Sequence, residues 1–477
     1  MMIEIFLRAI NFYSPTCDTD PFISFKEKIP TLVEVKIQGK TWLSINPKLR
    51  EYFNAISFVK KKPKGTRRIF ILGGSTVYGF PFGYDGSFAH FLSMALAQLD
   101  PLHRYQVINL GGFGYASYRV LRVFEEVLAY QPDLIIVMSG HNEFLEKREY
   151  AQSQAKIFWL REKLSKLKIY CGLKTAIFKI FPKPQKPLLS REVKWEHFAA
   201  DEKIKRKITE HYRYNLQRMA ELARSKNVPV LFLTCPSNLL DFPPYHSVHS
   251  TKINKDKLAK WQNYWKLANK SFQEKKFSQA IIWLKKCLEI DKQYALSWFL
   301  LGKCYYELGK FEKAKKAFIE AKEHDAWQVR ALEEFNQIIK SLAQPQIWVV
   351  DLTQVCSDLS PHKIPGKNLF YDHCHPKIEV QALIAKLILE KLNQKYWLAL
   401  DRGWKEKYEM LSKSYISLRP KDFFFQAYFR LAVEIGLNMG LKQEGMEYFY
   451  LAKKLNPNYP ALKKLEKLLS TGRALKP

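Results

Sequence analysis

A chain of 477 residues is too long for one hydrophobic core, so its length predicts two to four domains. Its 47% hydrophobic and 14% aromatic residues argue against an intrinsically disordered protein. The formal net charge of +31 would attract an anionic partner such as an acidic polymer or a membrane surface, although lysines that simply solvate helix faces would give the same total. The charges are spread along the chain and no nucleic-acid-binding module is recognisable, so we do not expect nucleic acid as a partner.

The first nine residues are the candidate for a targeting segment or a membrane anchor. They are too few for a signal peptide, and Glu4 and Arg8 interrupt them. No stretch of the chain reaches the ~18 apolar residues that span a bilayer. Residues 3–8 fit the tail of an anchor that lies upstream of an incomplete N-terminus, so localisation stays open, with a membrane-anchored or extracytoplasmic protein as one reading.

Five short apolar runs predict the strands of a parallel sheet. In chain order they are 68–72 (RIFIL), 106–110 (QVINL), 134–138 (LIIVM), 229–233 (PVLFL) and 346–350 (QIWVV). Uninterrupted apolar runs of this length are typical of strands buried on both faces. Helical patterns follow the first three runs and the fifth, for example at 88–99, 118–129 and 378–392. This alternation predicts a doubly wound α/β sheet.

The segment 151–200 is basic and aromatic and is then broken by three prolines. One reading is a lid beside a ligand site, and another is an amphipathic helix that lies in a membrane interface. A solvated surface insertion would have the same composition.

Two copies of a 34-residue pattern lie between the fourth and fifth predicted strands. The first copy contains Tyr264, Leu267, Ala268, Ala280, Leu284 and Cys287, and the second contains Trp298, Leu301, Gly302, Ala314, Phe318 and Ala321. This period and these residue types are the signature of tetratricopeptide repeats, in which small residues let paired helices approach and large ones fill the seam. A weaker third copy is formed by Phe429, Gly440, Gly445, Phe449, Ala452 and Pro457. Such repeats predict a protein partner.

Polar and glycine-rich turns follow the first three predicted strands. Ser75 comes directly after Gly73 and Gly74, a second turn contains Gly114, and a third contains Asn142. The carboxyl ends of parallel strands line the crevice where open α/β sheets bind ligands. The serine hydroxyl, a backbone N–H of Gly114 and the Asn142 amide can therefore point at one place, although tight turns alone would also explain the glycines.

The segment 371–376 (YDHCHP) carries an Asp three residues before a His. Asp372 can orient the imidazole of His375 through its Nδ1. The rival reading is a metal site formed by His373, Cys374 and His375. Neighbouring side chains are expected to point apart, and no further cysteine or histidine has zinc-ligand spacing. Seven cysteines, an odd number without a CxxC pair, predict free thiols, so we expect neither disulfides nor a metal.

The three turns and the segment 371–376, in this order along the chain, resemble the motifs of the SGNH/GDSL serine hydrolases. The resemblance covers about 68–150, 205–245 and 345–395, and ILGGST, GHNEFLE, PSNL and DHCHP are similar to a bacterial subgroup that joins this domain to tetratricopeptide repeats. It implies a catalytic triad of Ser75, Asp372 and His375. It also implies an oxyanion hole formed by Ser75, Gly114 and Asn142. Two positions depart from the family pattern, because Gly74 and Glu143 each stand where Asp is usual.

The resemblance implies a three-layer α/β/α, flavodoxin-like sheet and no cofactor. The expected domains are an N-terminal segment 1–67, a hydrolase domain in two parts (68–254 and 344–395), a repeat insertion 255–343 and a helical, tetratricopeptide-like region 396–477. The expected function is ester hydrolysis, with O-acyl groups on a glycan or another large substrate as one candidate. An O-acyltransferase would use the same triad, and a repeat scaffold with a vestigial hydrolase domain is an alternative of another class.

Overall fold

In the described ranges, strands and helices occur together up to residue 233, and the rest is mainly helical, with one further strand near residue 350. The computed structural model describes residues 29–145 and 201–470. Its strands are β1 (Leu32–Ile37), β2 (Lys40–Ile45), β3 (Ser57–Val59), β4 (Thr66–Gly73), β5 (Arg104–Gly111), β6 (Leu134–Met138), β7 (Val230–Leu233) and β8 (Ile347–Val350).

The α-helices of the described ranges are given in three groups: those before β7, those between β7 and β8, and those after β8. The first are α1 (Ser75–Tyr78), α2 (Phe88–Leu99), α3 (Ser117–Val127) and α4 (Glu202–Ser225). The inserted stretch has α5 (Lys255–Gln273), α6 (Phe277–Ile290), α7 (Ala295–Glu307), α8 (Phe311–Glu323) and α9 (Glu333–Ser341). The remaining helices are α10 (Leu352–Asp358), α11 (Ile378–Gln394), α12 (Trp404–Ser417), α13 (Lys421–Val433), α14 (Lys442–Leu455) and α15 (Ala461–Ser470).

The five predicted apolar runs form one parallel sheet with strand order β5-β4-β6-β7-β8. Helices α2 and α11 pack together, whereas α3, α4 and α9 pack together, as expected for one helical layer on each face. The predicted doubly wound α/β class is therefore confirmed. Strand β4 has β5 on one side and β6 on the other, so its carboxyl end lies where the strand order reverses. Open α/β sheets bind ligands at this point.

A small antiparallel sheet, β1-β2-β3, precedes the parallel sheet and was not predicted. Gln38 and Gly39 make its first turn, both with positive φ, which is the geometry of a tight hairpin. Phe58 of β3 packs edge-on against Phe70 of β4, with ring centroids 5.7 Å apart. The buried Arg68 donates to the carbonyl of Val59, so the small sheet is joined to the amino half of β4.

Helices α5 to α8 form the two predicted repeats. Ala268, Ala280 and Leu284 are fully buried at the seam. A Cβ on Gly302 would come within 2.7 Å of the Phe318 ring, so the small residue allows the helices to approach. The repeat assignment holds, but not every large residue of the pattern fills the seam, because Leu267 is 40% exposed.

Helix α9 belongs structurally to the parallel sheet rather than to the repeats. Its Phe335 stacks on Tyr212 of α4, with ring centroids 4.3 Å apart. The side chain of Asn336 accepts from Cys235 N at 2.7 Å, directly after β7. Helix α9 thus has the position of the crossover helix between β7 and β8. The domain boundaries drawn from the sequence remain predictions.

The start and the end of the repeat pair lie side by side. The carboxylate of Asp325 accepts hydrogen bonds from Tyr245 N (2.8 Å) and His246 N (3.0 Å). Ala326 N in turn donates to His246 O. The buried Arg330 then donates to the carbonyls of Asn238 and Phe242. An insertion with adjacent ends leaves the order of the parallel strands unchanged.

Some predictions fall on residues that the structure does not describe. The segment 151–200 and the apolar stretch 3–8 lie outside the described residues, as do Cys17 and Cys171. The cysteines that can be examined are free and buried, namely Cys235, Cys287, Cys304, Cys356 and Cys374. None of the helices in the two described ranges is long and apolar enough to cross a membrane.

Candidate active site

Ser75 is the first residue of α1, directly after the β4 strand and its glycine turn. Its side chain is only 8% exposed. Because Ser75 begins a helix, its N–H is one of the first-turn groups that have no acceptor within the helix. Gly74 caps the helix in an extended conformation. A Cβ at this position would lie 2.5 Å from Asn142 Nδ2, so a side chain here would collide with the amide.

A chain of hydrogen bonds joins Ser75 to Asp372 through His375. His375 Nε2 lies 2.7 Å from Ser75 Oγ, and its Nδ1 lies 2.6 Å from Asp372 Oδ2. The other carboxylate oxygen of Asp372 accepts from Cys374 N (2.9 Å) and His375 N (2.8 Å). The imidazole is therefore fixed at both nitrogens, which is the arrangement a base needs to take the serine proton.

The electrostatics of the Asp372 loop keep that carboxylate ionised. Burial alone would raise the pKa of Asp372, but His375, His373 and the hydrogen bonds to the carboxylate hold the pKa well below its ordinary value. Asn238 braces the loop, because its side chain donates to Asp372 O (3.1 Å) and its N–H donates to His373 O (2.9 Å). The ring of Phe80 lies against His375, with centroids 4.6 Å apart.

The expected oxyanion donors surround the start of α1. Asn142 Nδ2 donates to Tyr115 O at 3.1 Å, which leaves its second hydrogen for another acceptor. Gly114, the residue before Tyr115, has φ +74°, a conformation that favours glycine. The neighbouring N–H groups of Gly112 and Phe113 donate to backbone carbonyls, whereas the Gly114 N–H has no acceptor within the described ranges.

Glu143 departs from the family pattern and has a structural role here. It is fully buried, and its two carboxylate oxygens accept from Ser117 N (2.6 Å) and Ser117 Oγ (2.9 Å). Ser117 begins α3, and Asn215 of α4 donates to the same hydroxyl. The longer side chain of Glu thereby joins the Asn142 turn to the first turn of α3, where a carboxylate is favoured.

His141, the residue before Asn142, is a buried structural residue. Its Nδ1 accepts from Ala331 N at 3.1 Å, so the proton of the neutral ring is on Nε2. Burial, with His373 and His375 nearby, lowers the pKa of His141 well below its ordinary value. The segment after the repeats therefore contacts the turn that carries Asn142.

The metal reading needs one correction. The side chains of Asp372, His373, Cys374 and His375 do not point apart, because one ligand atom of each lies within 4.8 Å of the others. Both nitrogens of His375 are nevertheless engaged by Ser75 and Asp372. Burial raises the pKa of the Cys374 thiol well above its ordinary value, which disfavours the thiolate that a metal requires. The donor set therefore fits the serine–histidine pair better than a metal.

Sequence reasoning missed the C-terminal residues that reach this site. The carboxyl of Glu434 interacts electrostatically with His375 and Asp372. Tyr448 Oη donates to the carbonyl of Tyr371, beside Asp372. The third repeat pattern spans these residues, but a repeat pattern carries no information about the surface on which its helices pack.

Comparisons with known proteins agree with this arrangement. Residues 71–270 match the family described as "GDSL-like Lipase/Acylhydrolase family", and residues 271–334 and 425–459 each match the tetratricopeptide repeat. The predicted family resemblance and repeats are confirmed by these matches. No curated protein matches the chain.

The solved structures that match the chain include two whose descriptions name GDSL-type proteins. A structure described as a lipolytic protein of the G-D-S-L family from Desulfitobacterium hafniense is 12% identical, with a TM-score of 0.30, and the match covers 68% of this chain and 99% of that one. A GDSL-like lipase from Bacteroides thetaiotaomicron is 11% identical, with a TM-score of 0.28, and the match covers 69% of this chain and 89% of that one.

Proposed function

We propose that this chain, which joins a GDSL-like acylhydrolase domain to tetratricopeptide repeats, is a serine esterase. Ser75 would be the nucleophile, His375 the general base and Asp372 the residue that orients the base. The observation that carries the proposal is the hydrogen-bonded chain from Ser75 Oγ through both nitrogens of His375 to Asp372.

The reaction would proceed by two acyl transfers. Ser75 Oγ attacks the ester carbonyl while His375 Nε2 takes the hydroxyl proton. The tetrahedral intermediate collapses, and His375 gives that proton to the departing alkoxide, which leaves as the alcohol. Water then attacks the acyl-serine with His375 again as base, and the carboxylic acid and free Ser75 are released. Asp372 stays ionised throughout, because its pKa is low, and stabilises the imidazolium.

Three donors would stabilise the negative charge on the carbonyl oxygen. They are the N–H of Ser75, the N–H of Gly114 and the free hydrogen of Asn142 Nδ2. Two observations support this assignment, namely the unpartnered Gly114 N–H and the position of the Asn142 amide beside Gly74. Preorganised donors of this kind are usually the largest contribution to catalysis of acyl transfer.

For the substrate and the partners we propose chemical classes. The repeats would bind a protein partner, and a large acylated substrate such as an O-acylated glycan suits a hydrolase joined to them. The net charge of +31 supports an anionic polymer or a membrane surface as a further partner. An acyltransferase would use the same acyl-serine and pass it to a second alcohol instead of water. A scaffold with a vestigial hydrolase domain is disfavoured, since the Ser75–His375–Asp372 geometry is intact.

The test is covalent labelling of Ser75. The full chain should react with a fluorophosphonate probe and hydrolyse short p-nitrophenyl esters, and Ser75→Ala should lose both activities while keeping its far-UV circular dichroism spectrum. Ser417→Ala, at an exposed helix end, is the matched control and should behave like the parent. Labelling that persists in Ser75→Ala would refute the assignment. Transfer to an added alcohol at the expense of free acid would identify the transferase alternative.

A further inference from the structure

The edge of the parallel sheet opposite the proposed triad carries exposed basic and apolar side chains. Thr66, the first residue of β4, pairs with Arg104, the first residue of β5. Lys64 and Leu102 each come two positions before these residues, so both lie beyond the amino ends of neighbouring strands. Ser75 follows the carboxyl end of β4, and this strand of eight residues places the two edges about 23 Å apart.

The turn after α11 packs on this amino edge and adds aromatic side chains to it. Arg67 of β4 donates from Nη1 to Trp397 O at 2.9 Å, and its guanidinium lies over the indole, 5.1 Å from the ring centroid. Tyr105 of β5 lies against the same indole, with ring centroids 6.3 Å apart. Tyr396 and Leu102, in the turns that meet here, are 95% and 92% exposed, the highest values among the large apolar side chains of the described ranges.

The backbone conformation of Tyr396 is not one that the fold would select for an aromatic residue. Tyr396 N donates to Asn393 O and Trp397 N donates to Leu392 O, which together form the Schellman motif at the end of α11. The φ of Tyr396 is +56°, the left-handed conformation that favours glycine at this position of the motif. The almost fully exposed ring contributes little packing in return. Strain without a packing benefit indicates a residue that serves binding.

The exposed charges of the amino edge are basic and uncompensated. Lys64, Arg104 and Lys395 are exposed, and none of these side chains has an ion pair within residues 29–145 and 201–470. Two acidic residues that precede strands at this edge are already engaged. Asp100 accepts from a tyrosine hydroxyl at 2.5 Å, and Asp133 binds a lysine ammonium at 2.7 Å. The edge therefore presents free positive charge around two exposed apolar side chains.

Five exposed residues share this edge and form what we call the amino-edge surface, namely Lys64, Leu102, Arg104, Lys395 and Tyr396. We propose that the amino-edge surface docks the protein on an anionic lipid bilayer, with the proposed triad facing away from the membrane. Basic side chains bind anionic headgroups, while Tyr and Leu enter the boundary between headgroups and acyl chains. An acidic polymer is attracted by the same charges but offers no apolar phase to Leu102 and Tyr396. The proposal rests on the anionic partner of the proposed function and not on its esterase chemistry.

Sedimentation of the full chain with lipid vesicles tests the apolar part of this surface. The parent should pellet with vesicles of equimolar phosphatidylglycerol and phosphatidylcholine, and equal binding to phosphatidylcholine alone would refute the anionic assignment. Tyr396→Gly should weaken binding about tenfold, because one apolar side chain no longer enters the interface. Its Tm should not fall, since glycine suits the left-handed conformation, and unfolding is thereby excluded as the cause. Leu102→Ser should weaken binding to a similar extent.

The matched control for these variants is Leu418→Ser. Leu418 is 76% exposed at the end of α12, where Tyr415 donates to Asp85 O on the carboxyl side of the sheet. This variant should bind anionic vesicles like the parent. A loss equal to that of Leu102→Ser would refute a surface confined to the amino edge.

Charge variants distinguish a local surface from the charge of the whole chain. Lys64→Gln, Arg104→Gln and Lys395→Gln combined should lower binding about a hundredfold, the joint effect of three basic residues near an anionic membrane. The matched control removes the same charge from exposed positions of α5, namely Lys257, Lys260 and Lys266. Equal losses in both triple variants would refute the amino-edge surface. Parental binding by Tyr396→Gly and Leu102→Ser, with a loss only in the first triple variant, would overturn the membrane in favour of an acidic polymer.

Labelling of Ser75 separates failure of this inference from failure of the esterase proposal. A parent that binds anionic vesicles but does not react with the fluorophosphonate probe refutes the esterase function alone. A parent that is labelled but stays in the supernatant with anionic vesicles refutes the docking surface alone. Vesicle-bound parent should be labelled at the rate of the free protein, and a block of labelling by vesicles would contradict the orientation.

Discussion

The side-chain amide of Asn142 occupies the space that a side chain at Gly74 would need. An ideal Cβ at position 74 would lie 2.5 Å from Asn142 Nδ2, well inside van der Waals contact. The family pattern has Asp before the nucleophile, and on this backbone that residue would displace the amide. Gly74 and Asn142 are therefore a coupled pair, and the glycine explains how the amide can lie so close to Ser75.

Replacing the amide tests its proposed role as an oxyanion donor. Asn142→Ala should lower kcat on p-nitrophenyl acetate by about 10²–10³, with little change in KM, because the amide acts on the charge that develops in the transition state. Gly74→Ala should lower kcat in the same direction by pushing the amide away. The double variant should be no worse than Asn142→Ala alone, and additive losses would show that the two positions act independently. A change confined to KM would make Asn142 a substrate-binding residue.

Changes in the Asp372 loop separate the base from the metal reading. Asp372→Asn should keep His375 in place but favour the wrong tautomer, which lowers kcat by orders of magnitude. Cys374→Ser should be nearly silent, because the buried thiol is protonated and takes no part in the proposed chemistry. Chelators should have no effect on ester hydrolysis. Strong inhibition by a chelator that zinc reverses would favour a metal site over the serine mechanism.

The buried histidines predict a loss of stability in acid. Burial lowers the pKa of His373 to about 4, so between that pH and about 6.5 the unfolded chain binds a proton that the folded chain does not. The contribution of uncharged His373 to the free energy of unfolding is complete above pH 6.5 and falls as the pH drops, by about 3 kcal/mol in total. The pKa of Asp372 is depressed, so this residue loses its own contribution to the free energy of unfolding only below about pH 4, outside the range in which His373 acts.

Urea unfolding at pH 7 and pH 5 measures this effect. The parent should unfold at lower urea at pH 5, and His373→Gln should show a smaller difference between the two pH values. Part of the difference should remain, since burial also lowers the pKa of His141. An identical pH dependence in His373→Gln and the parent would contradict the prediction.

Removing the repeat pair tests whether it is needed for the chemistry. His246 and Asp325 are hydrogen-bonded neighbours, so residues 247–324 can be replaced by a short Gly/Ser linker without moving either end. We expect parental rates on short p-nitrophenyl esters and loss of the protein partner. The melting temperature should fall, because Leu239 and Ile364 lose their apolar contacts with α8.

A longer deletion is the informative comparison. Removing residues 255–341 also removes Ala331, Phe335 and Asn336, which contact His141, Tyr212 and Cys235. That variant should fail to fold or lose all ester hydrolysis. Equal activity in both shortened chains would mean that α9 is dispensable. A folded 247–324 replacement without activity would mean that the repeats themselves build the site.

Local patterns sufficed to predict the parallel sheet and to select the candidate residues that the structure brings together. Strands buried on both faces leave continuous apolar runs, as at β6. Ser75 and Asn142 follow strands whose carboxyl ends meet at one edge of the sheet, whereas His375 was selected by the Asp-x-x-His pattern of its loop. The small antiparallel sheet was missed because neither β1 nor β2 is a continuous apolar run: Glu34 and Lys36 interrupt the mostly exposed β1, and β2 begins with Lys40 and is only partly buried. Glu434 was missed for another reason: its proximity to His375 depends on how α13 docks, and docking is set by surfaces rather than by periodicity.

The 300 positions that separate Ser75 from His375 also have a consequence for synthesis. Ser75, the proposed nucleophile, leaves the ribosome long before His375, its proposed base. Strand β8, which completes the sheet at one edge, follows only after the whole repeat pair has been made. Pairing over such sequence distances is slow, because the loop entropy is lost before the contact forms. In the proposed mechanism, a nascent chain that already displays Ser75 is therefore chemically silent until the segment that carries His375 has been translated and has folded against it.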